Sequence, residues 1–236
     1  MSAASGCMDI LSYRQLGEVF TSAMTGNAAL LGLDIGQGNL LATSRNLAAF
    51  AGFVIGLALG AALLRLCRAA AARSRAMTLI LLAEEALLVA FAALWHFGAG
   101  PSSDRLLYGL IGISAVAMGM QSVAAHHIGF PGVTTTYFTG TLTKIVVGAI
   151  GRLASPSAEG RTAGGIGWPV SALLAYVTGA ALTGLLESRP GPILAAAPAL
   201  GLPALPAILI AIVLLIGLAE AALGPGRRTR ELPPGP

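Results

Sequence analysis

Val19-Phe20-Thr21-Ser22-Ala23-Met24-Thr25-Gly26-Asn27 runs into Ala28-Ala29-Leu30-Leu31, and a related stretch stands in the second half of the chain. There Val133-Thr134-Thr135-Thr136-Tyr137-Phe138-Thr139-Gly140-Thr141 runs into Leu142-Thr143-Lys144-Ile145. Each is a hydroxyl-rich segment that ends in Thr-Gly and opens an apolar helical run. The chain around them is 56% hydrophobic and 10% charged, with a mean hydropathy of +0.80. A soluble domain carries roughly a quarter charged residues, so this is the composition of an all-α integral membrane protein. At membrane depth a polar, glycine-punctuated break must be buried in protein or line a wet cavity, because lipid cannot satisfy the freed backbone groups. Two such breaks at matching places in two halves point to a transporter-type site.

Working outward, residues 44–64, 76–97, 168–187 and 192–218 are each close to the ~20 residues that a crossing needs. Residues 106–127 are long enough to cross, and a second apolar run follows at 136–151. Residues 4–34 repeat that order with a shorter first part. Each half therefore reads as a broken or re-entrant segment followed by two plain helices. The expected fold has about six transmembrane helices in two inverted three-helix repeats, about 4–98 and about 106–218. They form a single polytopic membrane domain over 1–223, and a Pro/Gly/Arg-rich tail over 224–236 is expected to be disordered. The halves also align away from the Thr-Gly pairs. Phe53-Val54-Ile55-Gly56 matches Tyr176-Val177-Thr178-Gly179, and Gly6-Cys7-Met8-Asp9 falls near Gly119-Met120-Gln121-Ser122. Gly56 with Gly60, and Gly179 with Thr183, make small-residue faces suited to close helix packing or to a homodimer.

The loop at 65–75 carries Arg65, Arg68, Arg73 and Arg75 without an acid, so it is expected in the cytoplasm. With an odd number of crossings per half, both termini are cytoplasmic and the protein sits in a bacterial inner membrane. A full crossing by 136–151 would place the arginine-rich tail outside, which favours a re-entrant element. The N-terminus has no basic stretch, so no cleavable signal is expected. The positive charge implies no nucleic acid, since most arginines lie between apolar spans.

Lys144 is the one lysine among fourteen basic residues, one helical turn past Gly140. A cation near the bilayer centre costs about 2.5–3.5 kcal/mol and marks a candidate site for an anion or carboxylate. Thr25, Gly26, Asn27, Thr139, Gly140 and Thr141 complete the expected substrate-binding shell. A Thr or Asn at a helix start caps exposed N–H groups, and the helix dipole favours negative charge there. Asp9 and Gln121 lie on the helices before the breaks; Gln121 joins the binding set. Asp9, Glu84 and Glu85 are proton-coupling candidates. Arg14 and Glu18 stand at helix-pair spacing and are expected to bridge each other. His126-His127 reads as an interfacial pair rather than a metal site, and His96 beside Trp95 as an interfacial belt. Cys7 and Cys67 form no disulfide or metal pattern. No nucleophile elbow, phosphate loop or zinc motif is present, so neither an enzyme nor a cofactor is expected.

Phe20 with Thr25-Gly26-Asn27, Met118-Gly119-Met120-Gln121-Ser122 and Thr134 through Thr143 resemble the YoaK-like bacterial membrane family. Gly6 and Asp9 fit its opening Gly-x-x-Asp pattern. The resemblance covers most of residues 6–218, with a shorter N-terminal helix than it would imply. It carries a membrane fold and a domain of unknown function, and supplies no substrate. The expected function is a small-solute transporter or permease with a central site at the paired Thr-Gly breaks, favouring an anionic solute. A non-transporting membrane sensor or assembly subunit is the alternative.

Overall fold

In a computed structural model the chain is all helical, with no strand among the described residues. The structure describes residues 1–66, 70–98, 100–127, 140, 142–143, 145–147, 150, 167–188 and 201–222. Seven helices lie in these ranges: α1 (Ser2–Gln15), α2 (Met24–Gly36), α3 (Leu40–Leu66), α4 (Ala70–Phe97), α5 (Asp104–His127), α6 (Gly167–Ser188) and α7 (Gly201–Ala222). Four of them contain stretches long and apolar enough to cross a membrane: Leu40–Leu66, Ala76–Phe97, Asp104–His127 and Pro169–Ser188. The span expected at 192–218 is helical from Gly201 and continues to Ala222; residues 192–200 lie outside the described residues. Residues 152–166, Cys67 and the 224–236 tail lie outside them too.

Local chemistry sets the helix starts. Ser103 precedes α5; its Oγ accepts from Leu106 N at 3.3 Å, and Asp104 adds an acid to the first turn. Asn39 does the same for α3, its Oδ1 accepting from Ala42 N at 3.2 Å. Pro206 lies inside α7, where it removes one backbone donor.

The helix of 14 residues, α1, and that of 13, α2, are each about 20 Å long at ~1.5 Å per residue, short of a bilayer core. After α1 the chain reverses through Gly17 and Glu18, whose φ angles are 83° and 63°. Gly17 also lies against the flexible end of the Arg45 side chain, and its positive φ is what favours glycine there. Residues 19–23 then run back beside α1, so that the Ser22 amide meets Asp9, and α2 starts roughly 9 Å below the end of α1. The chain thus turns back on itself at the first break. Because α1 ends at Gln15, Glu18 is not on a helix, and the expected Arg14–Glu18 pair does not form. Arg14 Nε instead meets Glu187 Oε2 at 3.2 Å, with Gln15 Nε2 donating to the other oxygen, which ties the end of α1 to the end of α6.

Helix pairing is crosswise. The first helix of the first half, α1, packs on α6 of the second half; the first helix of the second half, α5, packs on α3 of the first. Likewise α5 meets α4, α1 meets α7, and α4 meets α7. The glycines give the match in detail. A Cβ on Gly6 would overlap the Tyr176 carbonyl, and one on Gly119 would overlap the Phe53 carbonyl. A Cβ on Gly179 would strike the Ala3 carbonyl, and one on Gly56 the Val116 carbonyl. Gly119 and Val116 are spaced as Gly6 and Ala3 are; Tyr176 and Gly179 are spaced as Phe53 and Gly56 are. The glycine faces suited to a homodimer are thus filled within the chain.

The interior belongs to α1 and α5. Nearly every position from Ala4 to Ser12 is buried, and α5 buries residues along its whole length. The other spans turn large apolar side chains outward, among them Val54, Leu59, Val89, Leu174 and Leu185. Such faces match a lipid surround.

Candidate functional site

Two polar clusters occupy the interior, one on each buried helix. The first is built on Asp9, which is 1% exposed. Its Oδ1 accepts from three successive backbone amides, Thr21 N at 3.0 Å, Ser22 N at 2.7 Å and Ala23 N at 3.4 Å. Its Oδ2 accepts from Ser22 Oγ at 2.6 Å and from Tyr176 Oη, on α6, at 2.7 Å. Successive N–H groups leading into a helix form an anion-binding concavity. Here the protein supplies the anion itself.

The helix-start cap expected from Thr25 or Asn27 is therefore made differently. The N-cap of α2 is Ala23, with no side-chain cap, and the Asp9 carboxylate reaches the preceding amides from α1. Asn27 is fully buried and brackets the backbone of Phe20: Oδ1 accepts from Phe20 N at 2.7 Å, while Nδ2 donates to Phe20 O. Gly26 lies against the Phe20 ring, which stacks on Tyr13. Thr25 faces outward. Of the three neighbours expected to line one shell, Asn27 and Gly26 hold the segment before α2 through Phe20, and Thr25 points away from it.

The second cluster joins three helices. Ser5 Oγ on α1 meets Gln121 Oε1 on α5, and Gln121 Nε2 donates to Glu84 Oε1 on α4 at 2.6 Å. Ser5 and Glu84 are fully buried, and Gln121 nearly so. Glu84 Oε2 has no hydrogen-bond partner among the described residues. Glu85 diverges from it and is half-buried, with its own Oε2 likewise without a partner among the described residues. Glu84 lies about 12 Å into the Ala76–Phe97 span.

Gln121 and Glu84 are thus brought together, while Asp9 forms a separate cluster on α1. Gly140 is helical and exposed. Thr139, Thr141 and Lys144 lie outside the described residues. Ser5, Ser12, Ser22 and Tyr176 were not singled out by sequence. Ser12 Oγ meets Thr21 Oγ1 at 3.3 Å, so Ser5, Asp9 and Ser12 form one polar stripe. Their spacings of three and four were the available signal. Tyr176 had none of its own beyond its alignment with Phe53.

A model of the family described as "Protein of unknown function (DUF1275)" matches residues 1–215. The UPF0700 transmembrane protein YoaK of Bacillus subtilis (strain 168) is 33% identical over 149 residues, covering 63% of this chain and 64% of that relative. The match thus spans just under two thirds of the relative's length. No solved structure matches.

Proposed function

We propose a function from the premise that this chain belongs to the DUF1275 family of multi-pass membrane proteins: it is a small-solute permease, not an enzyme. It is built as two inverted three-helix repeats in a single domain of the bacterial inner membrane. The solute site lies between the repeats, at the Thr-Gly breaks, and the arginine-rich C-terminus faces the cytoplasm. The observation that carries this reading is the crosswise match of close contacts, Gly6 on Tyr176 with Gly119 on Phe53, and Gly179 on Ala3 with Gly56 on Val116. A pseudo-two-fold arrangement of inverted repeats generates such pairs, and transporters of that design bind near the midplane at the repeat interface.

The first break is closed to an external anion because Asp9 fills it. In the second half Ser122 stands where Asp9 stands in the first, by the same spacing from Gly119 as Asp9 has from Gly6. That half has no matching carboxylate, and it has Lys144. We therefore assign the anionic group of the solute to the second break, with Thr139, Gly140, Thr141 and Lys144 as its shell. The test is a thermal-shift screen of detergent-purified protein against small carboxylates, phosphates and neutral metabolites, beside Lys144→Met. A solute-dependent rise in melting temperature that is lost in the variant is expected. An equal rise in both proteins removes the charge role of Lys144, and no rise with any solute counts against the permease.

A further inference from the structure

The three acids named from sequence differ in what the fold has done with them. Asp9 is saturated by five donors, three backbone and two side-chain, and stays where the loop needs it. Glu85 is half-buried. Glu84 alone is fully buried at mid-span with one oxygen anchored and the other without a partner among the described residues. Its anchor is a two-step relay, Ser5 to Gln121 to Glu84, that begins on the other buried helix, so its position depends on how α1 lies against α5.

The surroundings favour exchange of a proton over a fixed ion pair. From α1 the Met1 amine lies within electrostatic range of Glu84, but outside ion-pair distance. On α4 itself Glu85 is the neighbouring acid. Across the interface α5 offers Gln121 and no charged residue between Arg105 and His126. The charges of α3 lie near its ends, at Arg45 and Arg65, and α7 has its acid at Glu220 in the last turn. The described α7 face is apolar, with Pro203, Pro206 and Ala207 buried. A carboxylate there is costly without a counter-charge, whereas a protonated carboxyl is neutral and acts as donor and acceptor at once.

We propose that Glu84 is a proton-carrying site, positioned by Gln121 and Ser5 at the seam of α1, α4 and α5, and that its loading and unloading accompany solute passage. This rests on the permease reading. An O–H bond forms at Oε2 with a proton delivered by water from one side of the membrane. The same bond breaks when the proton returns to water on the other side, and no electrons change hands. Gln121 and Ser5 are positioning residues, since neither takes the proton.

The test uses purified full-length protein with no solute, by infrared difference spectroscopy between acid and alkaline buffer. A high-frequency C=O band, that of a protonated carboxyl shielded from water and distinct from the bands of the exposed acids, is expected to titrate; it is absent in Glu84→Gln and retained in Glu85→Gln and Asp9→Asn. In Gln121→Leu the band is retained but moves in frequency, because the carboxyl loses the amide donor. Absence of that high-frequency band overturns the proposal; so does its survival in Glu84→Gln or its loss in Asp9→Asn. Should Glu84→Gln fail to fold, the Gln121→Leu shift decides, and an unmoved band rejects Glu84. Because no solute is present, a failed metabolite screen with an intact Glu84 band separates failure of the permease reading from failure of this one.

Discussion

Replacing Asp9 by Ala deprives Thr21 N, Ser22 N, Ser22 Oγ and Tyr176 Oη of a common acceptor in a place water does not reach. Each buried donor left unmade costs about 1–3 kcal/mol, so Asp9→Ala should lose at least about 3 kcal/mol. Asp9→Asn should lose less, because its carbonyl oxygen still accepts from the amides and its NH2 can donate to the two hydroxyl oxygens. Tyr176→Phe should lose about 1–2 kcal/mol. Melting curves in detergent read all three, and a double-mutant cycle of Asp9→Ala with Tyr176→Phe should show strong coupling. Additive effects would mean that the Tyr176 contact carries no energy. At this scale the sequence was partly legible. An acid inside an apolar chain announces a polar interior, and Asp9 and Glu84 were found that way; Gln121 was found by its place on the helix before the second break. Their partners were not, because Ser22 is 13 residues from Asp9 and Tyr176 is 167 away. Whether a carboxylate binds a solute or braces its own loop is decided by those partners.

Among the elements, α6 offers a controlled comparison. Gly179 faces the Ala3 carbonyl with no space for a methyl, while Gly184 has nothing within 4 Å. Gly179→Ala should part α1 from α6 and lower the melting temperature. Gly184→Ala should be neutral or stabilising by up to about 1 kcal/mol from helix propensity. The matched substitution Gly56→Ala, against the Val116 carbonyl, should resemble Gly179→Ala in size. Clearly unequal losses would argue that the two seams are not equivalent. The glycine positions were legible as packing notches because small residues four apart on an apolar helix have few other uses. Which helix fills each notch was not legible. A homodimer and an internal seam use the same face, and only the tertiary arrangement gave the notches to Ala3 and Val116. The reversal between α1 and α2 was legible because Thr-Gly after a short helix leaves backbone groups that lipid cannot serve.

For the whole molecule, orientation is the property that charge placement predicts most directly. The loop expected at 65–75 is shorter in the structure, since α3 runs to Leu66 and α4 begins at Ala70. Cys67 falls in sequence between them, beside Arg65 and Arg68, and Cys7 is buried, so the native thiols already form a probe pair. A membrane-impermeant maleimide should label an added Ser102→Cys in intact cells and reach Cys67 only after lysis. Labelling of Cys67 in intact cells would reverse the assigned topology. The crosswise pairing of α1 with α6 also bears on how the protein is made. At roughly 5–20 residues per second, α6 leaves the ribosome on the order of 10–30 s after α1, so α1 waits with its groove unfilled. During that interval the Asp9 carboxylate can already be wrapped by its near neighbours Thr21 and Ser22, whereas the Tyr176 hydroxyl reaches it only when the second half arrives. The nascent chain thus carries an early local latch and a late remote one, and the insertion machinery must shelter a polar helix between the two.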